Sequence, residues 1–151
     1  MEKKFNFIIR KMFKSDLSKV ADLYTLFWND KMNLPKMINK FQILENDSKY
    51  IFLVAEAEGK IIGTIQGIIC EELYGECNSF MVMENFVVDS NYRFKGVGKK
   101  LLSELEKLAI SFSCTQIIFI TENERKNTIL FYEKLGFNSN SHKGFKKALK
   151  F

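Results

Sequence analysis

The pattern of apolar and polar residues predicts one strand and two helices at the start of the chain. The segment Phe5–Lys11 has the pattern of a strand. Ser15 and Asp16 can cap a helix, because their side chains accept hydrogen bonds from the unpaired N–H groups of a first turn. Pro35 suits the first turn of a second helix. The apolar positions at helical spacing are Leu17, Val20, Leu23, Tyr24 and Phe27, then Met37, Ile38, Phe41 and Leu44.

The middle of the chain is typical of strands. Ile51–Glu58 and Lys60–Glu71 flank Glu58-Gly59, a pair that favours a tight hairpin turn. A third strand is predicted from about Ser79 to Asp89.

The pattern after this strand predicts a helix, a strand and a second helix. A long amphipathic helix begins at Val97, and its apolar stripe consists of Leu101, Leu102, Leu105, Leu108, Ala109 and Phe112. A short strand of the buried type is predicted at Gln116–Thr121. The following helix, Lys126–Lys134, ends with Gly136 as a left-handed C-cap. A last strand or hairpin is expected in Phe137–Phe151.

The length and the order of the elements predict one mixed α/β domain. The chain has 151 residues, 46% of them hydrophobic, and no repeat or linker interrupts it, so residues 1–151 are predicted to form a single domain. Strands followed by a strand–helix–strand–helix unit predict an α+β mixed sheet with helices on its faces. No apolar run approaches the ~20 residues of a membrane helix, and the start has no signal-peptide pattern. We therefore expect a cytoplasmic protein with no membrane partner.

The net charge and the number of metal-ligating residues exclude few classes of function. The net charge of +5 suits either nucleic acid or a polyanionic cofactor. The cysteines, Cys70, Cys77 and Cys114, form no CxxC pair, and His142 is the single histidine. These residues are too few for a Cys/His zinc site, so no metal is expected.

The most informative stretch is residues 89–100, DSNYRFKGVGKK, which join the third strand to the long helix. Gly96 and Gly98 let the backbone come close to a ligand, and the unpaired N–H groups of the first helical turn point at the same place. Together with the positive end of the helix dipole, they form an anion site suited to a pyrophosphate. Positive charge is added by Arg93, Lys95, Lys99 and Lys100.

Two other phosphate-binding motifs do not fit this stretch. A P-loop requires glycine where Arg93 stands and Ser or Thr where Lys100 stands. A dinucleotide fingerprint requires glycine at the position of Leu101.

The stretch instead resembles Arg-x-x-Gly-x-Gly, the acetyl-CoA loop of the GNAT N-acetyltransferases. Residues 128–137, TILFYEKLGF, resemble the family's A-x-x-F-Y-x-K-x-G-F helix and turn, and residues 84–89, ENFVVD, resemble its E-D-x-x-V strand. The chain departs from the family at Arg125, where many members have asparagine, and either Asn123 or Asn127 could replace it. This arrangement, with Ser141, His142 and Phe145 near the end, most resembles the branch that contains aminoalkylphosphonate acetyltransferases.

The resemblance implies the GNAT acyl-CoA acyltransferase fold, with a central, mostly antiparallel sheet, splayed strands and helices on both faces. The strand ending at Val88 would carry a bulge and splay from the Gln116–Thr121 strand, so that pantetheine pairs with its backbone. A backbone N–H of Val87 or Phe86 would hold the carbonyl oxygen. The cofactor-binding residues implied are Phe86, Val87, Val88, Arg93, Phe94, Lys95, Gly96, Val97, Gly98, Lys99, Asn127, Thr128 and Tyr132.

The resemblance also implies transfer of acetyl from acetyl-CoA to a primary amine, by direct attack in a ternary complex. Tyr132 is the candidate acid that protonates the departing thiolate; alternatively, it only packs against CoA or hydrogen-bonds to it. Glu84 is the candidate base, directly or through water, and alternation places Glu84, Phe86 and Val88 on one face, subject to the bulge. The alternative for Glu84 is a structural or charge-pairing carboxylate.

The sequence predicts a small-molecule acceptor but does not identify it. Recognition is expected from Asp30–Glu45 and Glu71–Ser79, where Glu71, Glu72 and Glu76 compete with Glu84 for a cationic amine. His142 is interpreted as a surface residue. A protein or peptide acetyltransferase and a non-catalytic acyl-CoA-binding domain are the other classes considered. No nucleic-acid partner is expected, and a homodimer is left open.

The first testable prediction is that Gly98→Glu weakens CoA binding. A side chain at this position obstructs the pyrophosphate, and glutamate adds a like charge. We expect at least a ~10-fold loss of affinity, equal to ~1.4 kcal/mol, measured by calorimetry. Unchanged CoA binding in a folded Gly98→Glu variant would remove the basis of the phosphate-loop interpretation.

Overall fold

The computed structural model describes residues 5–150, which form two compact units. The first unit ends at Ile118, and the second begins at Phe119. Residues 1–4 and Phe151 lie outside the described part, so the ends of the predicted 1–151 domain are not included. The division between the units falls inside the strand predicted at Gln116–Thr121.

The first unit contains a five-stranded sheet in the order β1-β2-β3-β4-β5. Strands β1 to β4 are antiparallel neighbours, and β5 joins β4 in parallel. The sheet is therefore mixed and mostly antiparallel, as predicted. The strands are Ile8–Lys11 (β1), Tyr50–Ala57 (β2), Lys60–Cys70 (β3), Phe80–Val88 (β4) and Ile117–Ile118 (β5).

Three helices belong to the first unit and one to the second, within residues 5–150. Short 3-10 turns at Lys14–Asp16 and Ser90–Tyr92 come before the first and third helices. The helices are Leu17–Trp28 (α1), Leu34–Leu44 (α2), Val97–Ser111 (α3) and Lys126–Lys134 (α4).

Helices α1 and α2 cover one face of the sheet. Val20 of α1 and Phe41 of α2 belong to a buried cluster that also includes Val54 of β2 and Ile61 of β3. Burial of these apolar side chains stabilises the unit, at about 1.5–3 kcal/mol for each fully buried residue.

A partly buried ion pair connects β1 to the start of α1. The Arg10 guanidinium donates to both carboxylate oxygens of Asp16, at 2.7 and 2.9 Å, and to Glu56 at 2.7 Å. The hydrogen bond from Arg10 is the main cause that lowers the pKa of Asp16. Two parallel N–H···O bonds fix the orientation of both side chains as well as their distance.

Helix α3 packs on the other face, at two glycines of β3. A Cβ atom on Gly67 would lie 2.8 Å from Leu105 Cδ1 and 2.8 Å from Met81 Sδ. A Cβ atom on Gly63 would lie 3.0 Å from Leu101 Cδ1. The missing side chains therefore allow the helix to approach the strand closely.

Local features predicted from the sequence are present at several element ends. Glu58 and Gly59 have positive φ angles of 49° and 73°, as a tight hairpin turn requires. The Asn33 side chain accepts the Lys36 N–H at 3.1 Å, and Pro35 lies in the first turn of α2. Gly136 has a φ of 94° just after α4, which agrees with the predicted C-cap.

The cap of α1 predicted at Ser15 and Asp16 is wrong. Ser15 lies inside the 3-10 turn that precedes the helix. Asp16 precedes α1 directly, but its side chain makes no capping bond to the helix. The carboxylate instead accepts hydrogen bonds from Arg10 and, at 2.8 Å, from the backbone N–H of Phe13. The ion pair to β1 takes the oxygens that a cap would have used.

Two strand predictions also need correction. The strand predicted at Gln116–Thr121 is only Ile117–Ile118, and neither of its residues is buried. It is short because only the first part of β4 pairs with it. Residues 137–150 contain no strand, and from Asn138 onward they are exposed. A hairpin without a buried apolar face is at best marginally stable in water.

The packing at Gly67 generates a stability prediction. In Gly67→Ala, the new methyl group must displace Leu105 and Met81, which are fully buried. Overpacking of this kind costs about 1–3 kcal/mol of the free energy of unfolding, measured by urea titration.

The matched control is Gly59→Asn, because Gly59 has open space around it and asparagine tolerates its positive φ. We expect the control to change stability by less than about 0.5 kcal/mol. Equal stability of Gly67→Ala and the wild type would contradict the close packing of α3.

Candidate active site

Strand β4 is irregular at the position where the bulge was expected. Gln66 pairs with Glu84, and Thr64 pairs with Val87, so β4 has one residue more than β3 between the two pairs. The extra residue lies at Asn85, whose φ is 50°. A left-handed residue in a two-against-one pairing defines a β-bulge of the type in which glycine is usual.

The bulge changes the faces on which the last residues of β4 lie. Directly paired residues of adjacent strands share a face. Val87 pairs with Thr64, on the face that α1 covers, whereas Val88 pairs with Gly63, on the face that α3 covers. Glu84 lies before the bulge and shares the α1 face with Val87. The alternation that placed Glu84 and Val88 together is therefore wrong.

The Glu84 carboxylate is exposed, and within residues 5–150 no hydrogen bond or ion pair holds its side chain. Its competitor Glu71 is engaged: it accepts a hydrogen bond from Ser79 Oγ at 2.9 Å and lies 3.9 Å from Lys49 Nζ. The exposed Glu76 remains a second carboxylate in the same segment. The structure therefore favours Glu84 over Glu71 as a carboxylate available to an acceptor.

Strand β5 pairs only with the beginning of β4. The paired residues are Met81 with Ile117 and Val82 with Ile118. Within residues 5–118, no strand continues along this side of β4 from Met83 to Val88. This is the stretch in which the family resemblance implies an added strand of pantetheine.

The connection from β4 to α3 presents backbone N–H groups that lack acceptors. Phe94 and Gly96 have φ angles of 61° and 82°, and Gly96 is the N-cap residue of α3. The Lys100 N–H donates to the Gly96 carbonyl at 3.0 Å. The N–H groups of residues 97–99 have no acceptor in the described part of the chain, and the first turn of α3 contains no acidic residue. The start of α3 is therefore suited to an anion.

The four cations predicted around this connection have different surroundings. Arg93 Nε donates to the Val88 carbonyl at 3.4 Å. Lys100 pairs with Glu104 at 2.8 Å, which offsets part of its charge. Lys99 is exposed and has no ion pair with residues 5–150.

Lys95 is held by two aromatic rings. Its Nζ lies 5.2 Å from the ring centroid of Phe5 and 5.2 Å from that of Tyr92, within the range of cation–π contacts. The two rings are 5.5 Å apart. Because aromatic rings carry no net charge, they hold the ammonium group without neutralising it.

In the second unit, Tyr132 belongs to an aromatic cluster. Its ring centroid lies 4.3 Å from that of Phe119, 5.4 Å from that of Phe131 and 5.7 Å from that of Phe137. Tyr132 is 9% exposed. Burial raises the pKa of Tyr132 to about 12, against a smaller lowering effect of Arg125. The phenol is therefore a weaker acid than that of an ordinary tyrosine, and at neutral pH it is protonated in either case.

Arg125, the departure from the family pattern, is the N-cap residue of α4. Its Nε donates to Glu122 at 2.6 Å, and its carbonyl accepts the Ile129 N–H at 3.0 Å. Asn127 and Thr128, predicted to contact the cofactor, lie in the first turn of this helix. The other alternative, Asn123, lies outside the helix.

The segments predicted to recognise the acceptor are at the surface of the first unit. Residues 31–35, which comprise the end of the connection from α1 and the first residues of α2, line a surface cavity. Leu73 and Tyr74, between β3 and β4, are 95% and 83% exposed. In the second unit, His142 is exposed, as predicted, and its ring contacts Ser141 Oγ at 2.9 Å.

Two residues beside Glu84 were missed by the sequence analysis. Asn85 Nδ2 donates to Gln66 Oε1 at 2.9 Å, in a partly buried hydrogen bond. Asparagine directly after Glu84 was a usable signal, because asparagine tolerates a left-handed backbone. Gln66 gave no local signal, since it is 19 residues away in sequence and only the strand register brings it close.

Comparisons with known proteins identify the family. Residues 17–137 match the model of the acetyltransferase (GNAT) family, so the chain belongs to this family. It is 30% identical over 122 residues to the uncharacterised protein YdhI of Bacillus subtilis, across 78% of this chain and 66% of that protein. It is 34% identical over 86 residues to glucosamine 6-phosphate N-acetyltransferase of Arabidopsis thaliana, across 57% of this chain and 56% of that enzyme. The matched parts therefore span about two thirds or less of these relatives.

Solved structures show the same fold. A putative acetyltransferase from Agrobacterium tumefaciens has a TM-score of 0.86 at 21% identity, covering 94% of this chain and 99% of that one. The Arabidopsis glucosamine-6-phosphate N-acetyltransferase has a TM-score of 0.78 at 27% identity, covering 94% and 98%. An aminoglycoside N-acetyltransferase in complex with CoA has a TM-score of 0.82 at 19% identity, covering 98% of each chain.

The predicted family and fold class are thus confirmed, and the aminoalkylphosphonate branch remains a prediction. In residues 5–150, no helix is long and apolar enough to cross a membrane. The same residues contain no group of three or more His, Cys, Asp or Glu side chains that could hold a metal ion.

Proposed function

We propose that the protein is an acetyl-CoA-dependent N-acetyltransferase that acts on a primary amine by direct attack in a ternary complex. The observation that carries this proposal is the start of α3, where N–H groups without acceptors follow a left-handed glycine among several cations. Family membership and the acetyltransferases among the similar proteins support the same activity.

The residues at the start of α3 fit the cofactor. A pyrophosphate requires N–H donors and positive charge, and both are present. Nothing lies within 4 Å of the position that a Cβ atom of Gly96 would take, so an anion can approach the backbone there. The proposed contacts are Phe86, Val87 and Val88 of β4, residues 93–99 of the connection and α3, and Asn127, Thr128 and Tyr132 of α4.

Three groups of this chain have proposed roles in the transfer. When bound, acetyl-CoA supplies the thioester whose thiolate leaves. Glu84 takes a proton from the acceptor amine, directly or through water, and its exposed carboxylate supports this role. The backbone N–H of Val87 or Phe86 stabilises the charge that develops on the carbonyl oxygen. Tyr132 protonates the thiolate as it forms. Its phenol is protonated beforehand, although burial, which raises its pKa to about 12, makes it a weaker acid than an ordinary tyrosine.

The proposed acceptor is a small primary amine. Two of the similar proteins are named for small amines, glucosamine 6-phosphate and aminoglycosides. A peptide acceptor is the second candidate, because the exposed side chains of Leu73 and Tyr74 offer apolar surface for a peptide to cover.

A screen of acceptors with detection of free CoA tests this proposal. The panel contains polyamines, aminoglycosides, amino acids and aminophosphonates, together with histone and ribosomal-protein peptides. We expect the highest kcat/KM for a small amine. A far higher kcat/KM for a peptide would overturn the acceptor class, and CoA binding without any transfer would favour a non-catalytic acyl-CoA-binding domain.

Tyr132→Phe tests the proposed acid. The substitution keeps the ring in its aromatic cluster and deletes only the hydroxyl. We expect kcat to fall about 10- to 1000-fold, with little change in CoA affinity. The control is Tyr50→Phe in β2, which should leave both quantities unchanged. Equal losses of affinity and rate in Tyr132→Phe would assign the hydroxyl to cofactor binding instead.

Glu84→Gln tests the proposed base through its pH profile. Aliphatic amines have pKa values of about 10.4, so only about one molecule in a thousand is neutral at pH ~7.4. If Glu84 relays the proton, the variant should lose kcat/KM at neutral pH and regain it as the pH approaches the pKa of the amine. Glu71→Gln is the control, because Glu71 is already bound to Ser79. A deficit that stays constant from pH ~6.5 to ~9.5 would mean that Glu84 only positions the substrate or supports the structure.

A further inference from the structure

The hydrogen bond between Asn85 and Gln66 lies beside the part of β4 to which catalytic roles are assigned. Asn85 follows Glu84 directly and precedes the Phe86 and Val87 backbone. Its φ of 50° is unfavourable for a residue with a side chain, and asparagine tolerates it better than most. The bond from its side chain to Gln66, 2.9 Å long, is a contact that can help to hold this conformation.

Gln66 is well placed to hold the left-handed conformation of Asn85. It lies on β3 opposite Glu84, at the last regular pair before the bulge. Its side chain is partly buried, so water competes less for the hydrogen bond than it would at the surface. Because α3 packs directly on β3, Gln66 connects the bulge to the strand on which the cofactor-binding helix rests.

The bulge determines where the backbone after Asn85 points. Without the extra residue, Val87 would move from the α1 face to the α3 face, because a shift of one residue exchanges the two faces of a strand. The N–H and C=O groups of this segment would change direction as well. The proposed thioester site therefore depends on the bulge.

We propose that Asn85 and Gln66 are a positioning pair, whose hydrogen bond sets the Phe86–Val87 backbone for the pantetheine and thioester of acetyl-CoA. This inference rests on the proposed function. Neither side chain is assigned a contact with the reacting atoms. The pair acts through the backbone of β4 and has no role in binding the nucleotide at the start of α3.

In the full chain, two ligands distinguish an effect on β4 from an effect on the start of α3. Acetyl-CoA requires both the start of α3 and β4, whereas 3′-phosphoadenosine 5′-diphosphate keeps the pyrophosphate, lacks the pantetheine and requires only the start of α3. Calorimetry on Gln66→Ala should show acetyl-CoA affinity reduced about 3- to 10-fold, the effect of one lost hydrogen bond, and unchanged affinity for the diphosphate.

Asn85→Gly provides a second variant, because glycine adopts the left-handed backbone without strain and the chain should fold. It should lower acetyl-CoA affinity as Gln66→Ala does. The double variant should lose no more than either single one, because all remove the same bond. The positioning role would be overturned by additive losses of acetyl-CoA affinity in the double variant. It would also be overturned if Gln66→Ala lost affinity equally for both ligands, or if its acetyl-CoA affinity were unchanged. A wild-type protein that binds neither ligand would contradict the proposed function itself.

Discussion

The close packing of α3 on β3 is the constraint on which the first unit depends. Gly63 and Gly67 contribute no side chain, so Leu101 and Leu105 of the helix pack directly against the backbone of the strand. Since β4 is the neighbour of β3, the start of α3 is held near the end of β4, and only residues 89–96 connect them. The left-handed conformations of Phe94 and Gly96 allow so short a connection. The position of the proposed anion site follows from this packing, because the site consists of the backbone at the point where the helix begins.

Strand β4 contributes to the core and also changes the orientation of its backbone, and a regular strand could not do both. Before the bulge, Met81 and Met83 are buried and contribute to the core. After the bulge, Val87 is buried on the opposite face, so core packing is kept while the backbone changes its orientation. The irregularity is therefore compatible with a stable sheet. It also leaves Glu84 exposed at the boundary between the two parts.

Features that depend on local sequence were predictable, and features that depend on partners in other elements of the structure were not. The sequence around Gly96 and Gly98 predicted the N–H groups without acceptors at the start of α3, and helical periodicity placed α4 at the correct residues, because both signals lie within a few positions. Asp16 was mistaken for a helix cap because its partner Arg10 lies on a neighbouring element. The Gln66–Asn85 bond depends on strand register, which the apolar pattern does not specify where the bulge interrupts it. The roles of the site residues came from resemblance to a family and remain predictions.

The ion pair between Arg10 and Asp16 makes the folding of the first unit sensitive to protons. The folded-state pKa of Asp16 is lowered, so the folded chain binds a proton at this carboxylate less readily than the unfolded chain does. The stabilisation is fully present above the ordinary aspartate pKa of about 3.9, and it is lost as the pH falls through the lowered value. Asp16 is only 6% exposed, and protonation would leave the Arg10 guanidinium without the charge of its main partner. Protons thus bind preferentially to the unfolded state, at a residue that is far in sequence from the residues with proposed catalytic roles.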